Sequence, residues 1–322
     1  MILVTGANGL VGSFLCNELA GKGYRVKALV REKSDTSLLK AVAGSIELVY
    51  GDITDAGSLV DAMEDVMCVV HTAAVISFWN KKNKEMYQTN VVGTRNVVDV
   101  ALEKGVKKMI HISSIAAIGR KATDTRIDEK NNWEESAVNT AYAVTKHQAE
   151  LEIFRAVEEG LHAVIINPSV ILGPGLKGTS SVRLFEYVQQ KGKFYTDGDL
   201  NYVDVRDVVE SIEYFISHET PAGERYILNG GTVSFKTFFE KIAEMLHTNP
   251  PSVKASDWMK QIVWRVEAIK AFITGKEPLI TKSTARTATN KFEYSADKIM
   301  QLSQRSFRPL QDTIYWTCKQ LF

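Results

Sequence analysis

Short apolar runs, most of them continuous rather than alternating, punctuate the first half of the chain: Ile2–Thr5, Arg25–Val30, Ile46–Tyr50, Cys68–His71, Lys108–Ser113 and Ala163–Asn167. Unbroken Val- and Ile-rich runs of this kind suit strands covered on both faces, as parallel strands are. Between most of them lie segments of helical composition, such as Gly12–Ala20, Met86–Glu103 and Ala141–Glu159. Strand, helix and strand in succession require right-handed crossovers. The pattern therefore predicts an α/β fold with a doubly wound parallel sheet and helices on both faces.

After Pro168 the rhythm changes. Pro168, Gly173, Pro174, Gly175 and Gly178 crowd together and mark a long loop or a boundary. Beyond it the pattern predicts a helix at Val182–Gln190, a helix begun by Asp204 at Val205–Ser217, a strand at Arg225–Leu228 and further helices. This reads as a first domain over 1–168 and a smaller C-terminal α/β substrate lobe over 169–322, interwoven with the sheet. An apolar stripe at Trp258, Ile262, Val266, Ile269 and Ile273 predicts a core-facing helix. Trp264 lies off that stripe among polar neighbours: a lid over an apolar substrate, a partner contact or a merely exposed ring.

The chain has 322 residues, enough for one large or two closely joined domains at about 150 residues each. Lys plus Arg total 39 against 38 Asp plus Glu, a formal charge of +1. That balance excludes nucleic acid or an acidic membrane recognised through bulk charge, because no excess cations replace condensed counterions. Cys16, Cys68 and Cys318 form no CxxC pair, and the histidines show no ligand spacing, so neither a metal nor a disulfide framework is expected. No segment reaches the roughly 18 consecutive apolar residues of a membrane span. Met1-Ile2-Leu3-Val4 lacks the basic region of a signal peptide, and a cytoplasmic location is expected.

Chemistry enters with Thr5-Gly6-Ala7-Asn8-Gly9-Leu10-Val11-Gly12, between the first strand and the first helix. Gly6 permits the tight turn, Gly9 lets backbone approach a pyrophosphate, and Gly12 lets helix and strand pack closely. The helix start then offers the anion unpaired N–H groups and a positive dipole end. The second strand ends in Arg31, followed by Glu32 and Lys33, where sites for NAD carry an acid. A planar guanidinium with a second cation suits a 2′-phosphate, so NADP is expected over NAD. Asp52 follows the third strand and can accept from an adenine amino group while Ile53 covers the ring. The alternative is that Asp52 caps the helix starting near Ala56.

Tyr142 and Lys146, at i and i+4 in Ala141-Tyr142-Ala143-Val144-Thr145-Lys146, share one helix face. An ammonium beside a phenol is expected to lower its pKa and bring it toward proton exchange with a carbonyl or alcohol oxygen. Ser114 ends the fifth strand at the sheet's carboxyl edge, placed to bond the same oxygen. Phe78, Trp79, Tyr202 and Tyr226 are candidates for a substrate wall, and the Lys81-Lys82-Asn83-Lys84 run reads as a solvated helix start.

The glycine motif, the strand-end serine and the Tyr142–Lys146 pair, in this order, resemble the extended short-chain dehydrogenase/reductase family over nearly the whole chain. The resemblance implies a Rossmann-type sheet, Tyr142 as acid/base, Lys146 on the nicotinamide ribose, and Ser114 as the polarising hydroxyl. It places Ala73 and Ala74, in His71-Thr72-Ala73-Ala74, beside the cofactor ribose. Asn90, in Asn90-Val91-Val92-Gly93-Thr94, would support the site. Pro168 and Val170, in Asn167-Pro168-Ser169-Val170, would seat the carboxamide. Within the family, Val30-Arg31, Asn167 to Gly175, Tyr202 to Asp207 and Gly223 to Tyr226 look most like the dihydroflavonol-reductase-like branch, which reduces carbonyls with NADPH. Similar segments occur in nucleotide-sugar epimerases and 3β-hydroxysteroid dehydrogenases. A dinucleotide sensor without activity is the remaining alternative. The implied partner is a small carbonyl or alcohol substrate, with a homodimer through the helices near 86–103 and 141–159.

Overall fold

The computed structural model describes residues 1–322 except 122, 123, 137, 138, 180, 276, 279, 280, 283 and 285–290, and except the side chains of 257, 260, 261, 269 and 270. Ten strands are used below: β1 Ile2–Thr5, β2 Val26–Val30, β3 Glu47–Tyr50, β4 Cys68–His71, β5 Lys108–Ile112, β6 Ala163–Pro168, β7 Val170–Leu172, β8 Asp199–Asp204, β9 Arg225–Leu228 and β10 Gly231–Ser234. Among the described residues a seven-stranded sheet runs β9-β6-β5-β4-β1-β2-β3, all parallel. The order reverses between β1 and β4, which puts the crevice for a ligand outside the carboxyl ends of these two strands.

Two apolar layers hold the sheet between helices. On one side Val4, Val70, Ile110 and Val164 pack on the helices Leu10–Gly21 and Val205–Ser217. On the other Leu3, Val69, Met109 and Ile165 pack on Gly93–Glu103 and Ala141–Glu158. Alternate residues of one strand thus enter opposite cores, which is why these runs do not alternate with polar residues. A third core, with Leu172, Phe185, Phe238 and Ile314, lies under the smaller sheet β10-β8-β7. The chain passes between lobes more than once. Strand β9, expected in the C-terminal lobe, pairs with β6 in the large sheet.

Three expectations need correction. The stretch Met86–Glu103 is not one α-helix: Gln88–Val92 forms a π turn between Asn83–Tyr87 and Gly93–Glu103. Tyr202 is buried in the third core, its ring against Gly230 and Gly231, and Tyr226 is buried between Phe215 and the ammonium of Lys298. Both sit on strands whose faces are covered, so neither forms a substrate wall. The stripe Trp258, Ile262, Val266 and Ile273 faces outward on the helix Asp257–Thr274; Ile269 lies outside the described side chains. The only described side chain buried on that helix is the small Ala271, so the helix meets the body through a different face. Trp264 is half-buried, with the Arg265 guanidinium over its ring at 4.6 Å.

Candidate active site

The loop from Thr5 to Gly12 turns at Gly6, whose φ of 65° lies in the left-handed region. Gly6 also lies against the backbone of Ala73 after β4, where a Cβ would sit 2.7 Å from Ala73 Cα. The Gly9 amide donates to Gly6 O at 2.9 Å and closes the turn. The helix Leu10–Gly21 then starts with no side-chain cap, so the amides of Leu10, Val11 and Gly12 keep their donor capacity. Above them, Gly173 and Gly175 approach the Leu10 side chain. This is a bare cradle with an uncapped helix start, and it fits a dinucleotide pyrophosphate.

The cradle connects to the second candidate segment. Asn8 Nδ2 donates to Asp35 O at 3.3 Å, tying the loop to the turn after β2. In that turn Arg31 and Lys33 are exposed. Asp52 accepts from the Thr54 amide at 2.9 Å and the Thr54 hydroxyl at 2.8 Å. The cap of the helix Ala56–Ala62 is Asp55, which removes the capping alternative for Asp52. Ile53 is buried against Gly93.

Ser114 and Tyr142 meet at the carboxyl edge of β5. The Ser114 hydroxyl accepts from the Ala116 amide at 3.1 Å and shares a hydrogen bond with the Tyr142 phenol. Burial pushes the Tyr142 phenol up to about 12, and the bond from Ser114 opposes that only in part. The expectation that Lys146 acidifies this phenol is therefore not met. Lys146 is itself buried, and its Nζ donates to Ile112 O at 2.9 Å. Burial pulls its pKa down to about 8, against the Glu150 carboxylate. Phe78 closes one side, its ring edge-on to Tyr142 at 6.2 Å between centroids. Trp79 lies under the Lys81 ammonium at 5.0 Å, and Lys82 pairs with Glu85 on the surface.

Beneath these groups is a buried polar layer. Glu150, one turn beyond Lys146, accepts from Ser113 Oγ at 2.5 Å and Asn167 Nδ2 at 2.6 Å, and Asn167 Nδ2 also donates to Ser114 O at 3.0 Å. Burial raises the Glu150 carboxyl above the usual range. Glu150 escaped the sequence reading, although the spacing Tyr142, Lys146, Glu150 continues one helix face; Ser113 and Asn167 stood in it only as members of the strand end and the Asn167-Pro168-Ser169-Val170 motif. Asn90, in the π turn, accepts from the Val75 amide at 2.8 Å and donates to Val75 O at 2.9 Å and Thr145 Oγ1 at 3.1 Å. It joins the loop carrying Ala73 and Ala74 to the helix carrying Tyr142. His71 binds Thr5 Oγ1 at 2.7 Å and Thr94 Oγ1 at 3.0 Å, and burial lowers it to about 3, so it stays neutral. Pro168 ends β6 and Val170 is exposed at the start of β7. No cluster of three or more potential metal ligands occurs among the described residues.

A doubly wound sheet with a phosphate cradle at its switch point and a Ser–Tyr–Lys set at the neighbouring strand end defines an NAD(P)-dependent enzyme of the short-chain dehydrogenase/reductase type. Residues 2–229 match the model of the NAD dependent epimerase/dehydratase family, and the chain belongs to that family. It is 31% identical over 323 residues to a protein of Synechocystis sp. that bears a dihydroflavonol 4-reductase name, covering 97% of this chain and 93% of that one. It is 30% identical over 277 residues to cinnamoyl-CoA reductase 1 of Petunia hybrida, covering 81% of each. Among solved structures, that of gox2253 superposes with a TM-score of 0.83 at 30% identity, covering 99% of this chain and 97% of that one.

Proposed function

We propose that this protein reduces the carbonyl of a small molecule to a secondary alcohol with NADPH. The observation that carries the reading is the meeting of Tyr142 with Ser114 at the carboxyl edge of β5, with Lys146 one helical turn further on. A phenol held near 12 and bonded by Ser114 keeps its proton at neutral pH. It is thus set to give that proton to an oxygen gaining negative charge, as reduction requires. The cradle would hold the pyrophosphate of NADPH, whose nicotinamide would supply the hydride. Ser114 donates to the substrate oxygen and stabilises its developing charge. Lys146 uses one N–H on Ile112 O and keeps two more for the ribose hydroxyls. Phe78 shields the phenol from water on one side. The two curated relatives described above both bear reductase names.

The test is a panel of ketones followed at the NADPH absorbance band, with NADH in parallel. Stoichiometric oxidation of NADPH supports the reading. Turnover of a nucleotide sugar with no net redox change in the cofactor would overturn it in favour of epimerisation.

Arg31, exposed at the end of β2 beside the segment that Asn8 grips, supports the choice of NADPH. Arg31→Ala is expected to weaken NADPH binding by about 1.5–3 kcal/mol, one charged hydrogen bond, and to leave NADH within about twofold. A fluorescence titration with each cofactor reads this directly. Equal losses for both would assign the 2′-phosphate elsewhere.

Lys146 sets a pH dependence. With its pKa at about 8, it loses its charge as pH rises through that value, so kcat/KM for reduction is expected to fall with a limb near pH 8. The phenol, titrating near 12, stays protonated throughout this range. A profile level to pH 10 or so would show that the Lys146 charge is not needed.

A further inference from the structure

The three most exposed large apolar side chains among the described residues, Phe272 at 80%, Ile273 at 76% and Trp258 at 67%, lie on the helix Asp257–Thr274. Ile262 and Val266, also exposed, share their side: at 3.6 residues per turn the five fall within an arc of about 120°. The buried Ala271 lies on the opposite side of the same helix. The apolar face is therefore turned away from the protein, with the exposed Arg265 standing within the same arc. A surface of that kind on a chain of balanced composition marks a docking site.

Charge identifies the occupant. Residues 257–291 carry seven Lys or Arg against three Asp or Glu, a net +4, which leaves −3 for the rest of the chain. The overall +1 conceals this separation. Two copies of the chain meeting through this helix would bring two segments of like net charge together, whereas an anionic surface complements that charge. Aromatic rings stand near both ends of the face, Trp258 and Phe272, the residue types that settle at a membrane interface. No helix among the described residues is long and apolar enough to cross a membrane. We propose that the helix Asp257–Thr274 docks this protein on an anionic lipid bilayer, lying along the headgroups with its apolar face against the acyl chains. The segment just beyond the helix reaches the active site: Glu277 accepts from Ser77 Oγ at 2.5 Å, and Ser77 precedes Phe78, whose ring meets Tyr142.

The experiment is sedimentation of the full chain with vesicles of phosphatidylcholine alone or of equal parts phosphatidylcholine and phosphatidylglycerol. Partition into the anionic vesicles is expected to exceed that into the neutral ones about tenfold or more, and to fall as salt is raised. Val266→Glu and the milder Trp258→Ser are each expected to reduce it about tenfold, with melting temperatures unchanged because both positions are exposed. Absence of partition into either vesicle, equal partition into both, or partition untouched by both substitutions would overturn the proposal. So would sedimentation velocity showing that Val266→Glu converts a dimer to a monomer, since a second copy would then own the face.

Discussion

Replacing Tyr142 by Phe is expected to lower kcat for carbonyl reduction by a factor of about 10²–10⁴, the range for losing a positioned acid. The NADPH dissociation constant is expected to stay within about twofold. The asymmetry follows from where the hydroxyl sits. Its proton is held by a phenol near 12, its oxygen shares a hydrogen bond with Ser114, and the phosphate cradle is built from a separate segment, Thr5 to Gly12. The ring itself, edge-on to Phe78, is kept by the substitution, so packing survives. One hydrogen bond at a half-buried site is worth about 1 kcal/mol of stability, too little to unfold a chain of this size. Single-turnover reduction, cofactor titration and a thermal melt together separate the outcomes. A variant that keeps kcat within about tenfold of wild type would place the proton donor elsewhere.

How much of this was legible in the sequence depends on which physical signal each feature leaves. Strands β1, β2, β4, β5 and β6 were readable because burial on both faces forces continuous Val- and Ile-rich runs, whereas β3, at the sheet edge, is mostly exposed. The cradle was readable because Gly6 and Gly12 serve backbone contacts that a Cβ would obstruct. The spacing of Tyr142 and Lys146 placed them on one face, but spacing says nothing of what a four-carbon side chain reaches. Lys146 extends to Ile112 O beneath the strand end, and the phenol is governed by burial instead. The π turn at Gln88–Val92 leaves no compositional trace, yet it holds Asn90, with its bonds to Val75 and Thr145. Periodicity also identified the Trp258 stripe as a face without saying on which side the protein lies. Apolar periodicity describes a helix alone, whereas burial is a property of what packs against it. Tyr202 and Tyr226 failed for a related reason: aromatic rings suit cores and substrate walls equally, and only the topology separates the two.

The cradle yields the other large effect. A Cβ on Gly12 would stand 2.3 Å from Gly6 O, 2.7 Å from Ala7 Cα and 2.9 Å from Gly6 C. All three are backbone atoms of the turn, so no side chain can swing aside to make room. Gly12→Ala therefore forces the helix Leu10–Gly21 away from the turn or forces the turn itself to open. Either movement displaces the amides of Leu10 and Val11 from the position that fits a pyrophosphate. The gain in helix propensity, about 1 kcal/mol, is offset by an overpacking cost of about 1–3 kcal/mol. Net stability is expected to fall modestly, while affinity for NADPH and NADH alike falls by about tenfold or more. Gly21→Ala, at the exposed end of the same helix, is the matched control, because a Cβ there meets nothing within 4 Å. It is expected to leave cofactor binding intact and stability unchanged or up to about 1 kcal/mol higher. Denaturant unfolding and cofactor titration of the pair decide the matter: if Gly12→Ala binds both dinucleotides as tightly as Gly21→Ala does, the pyrophosphate does not lie on this helix start.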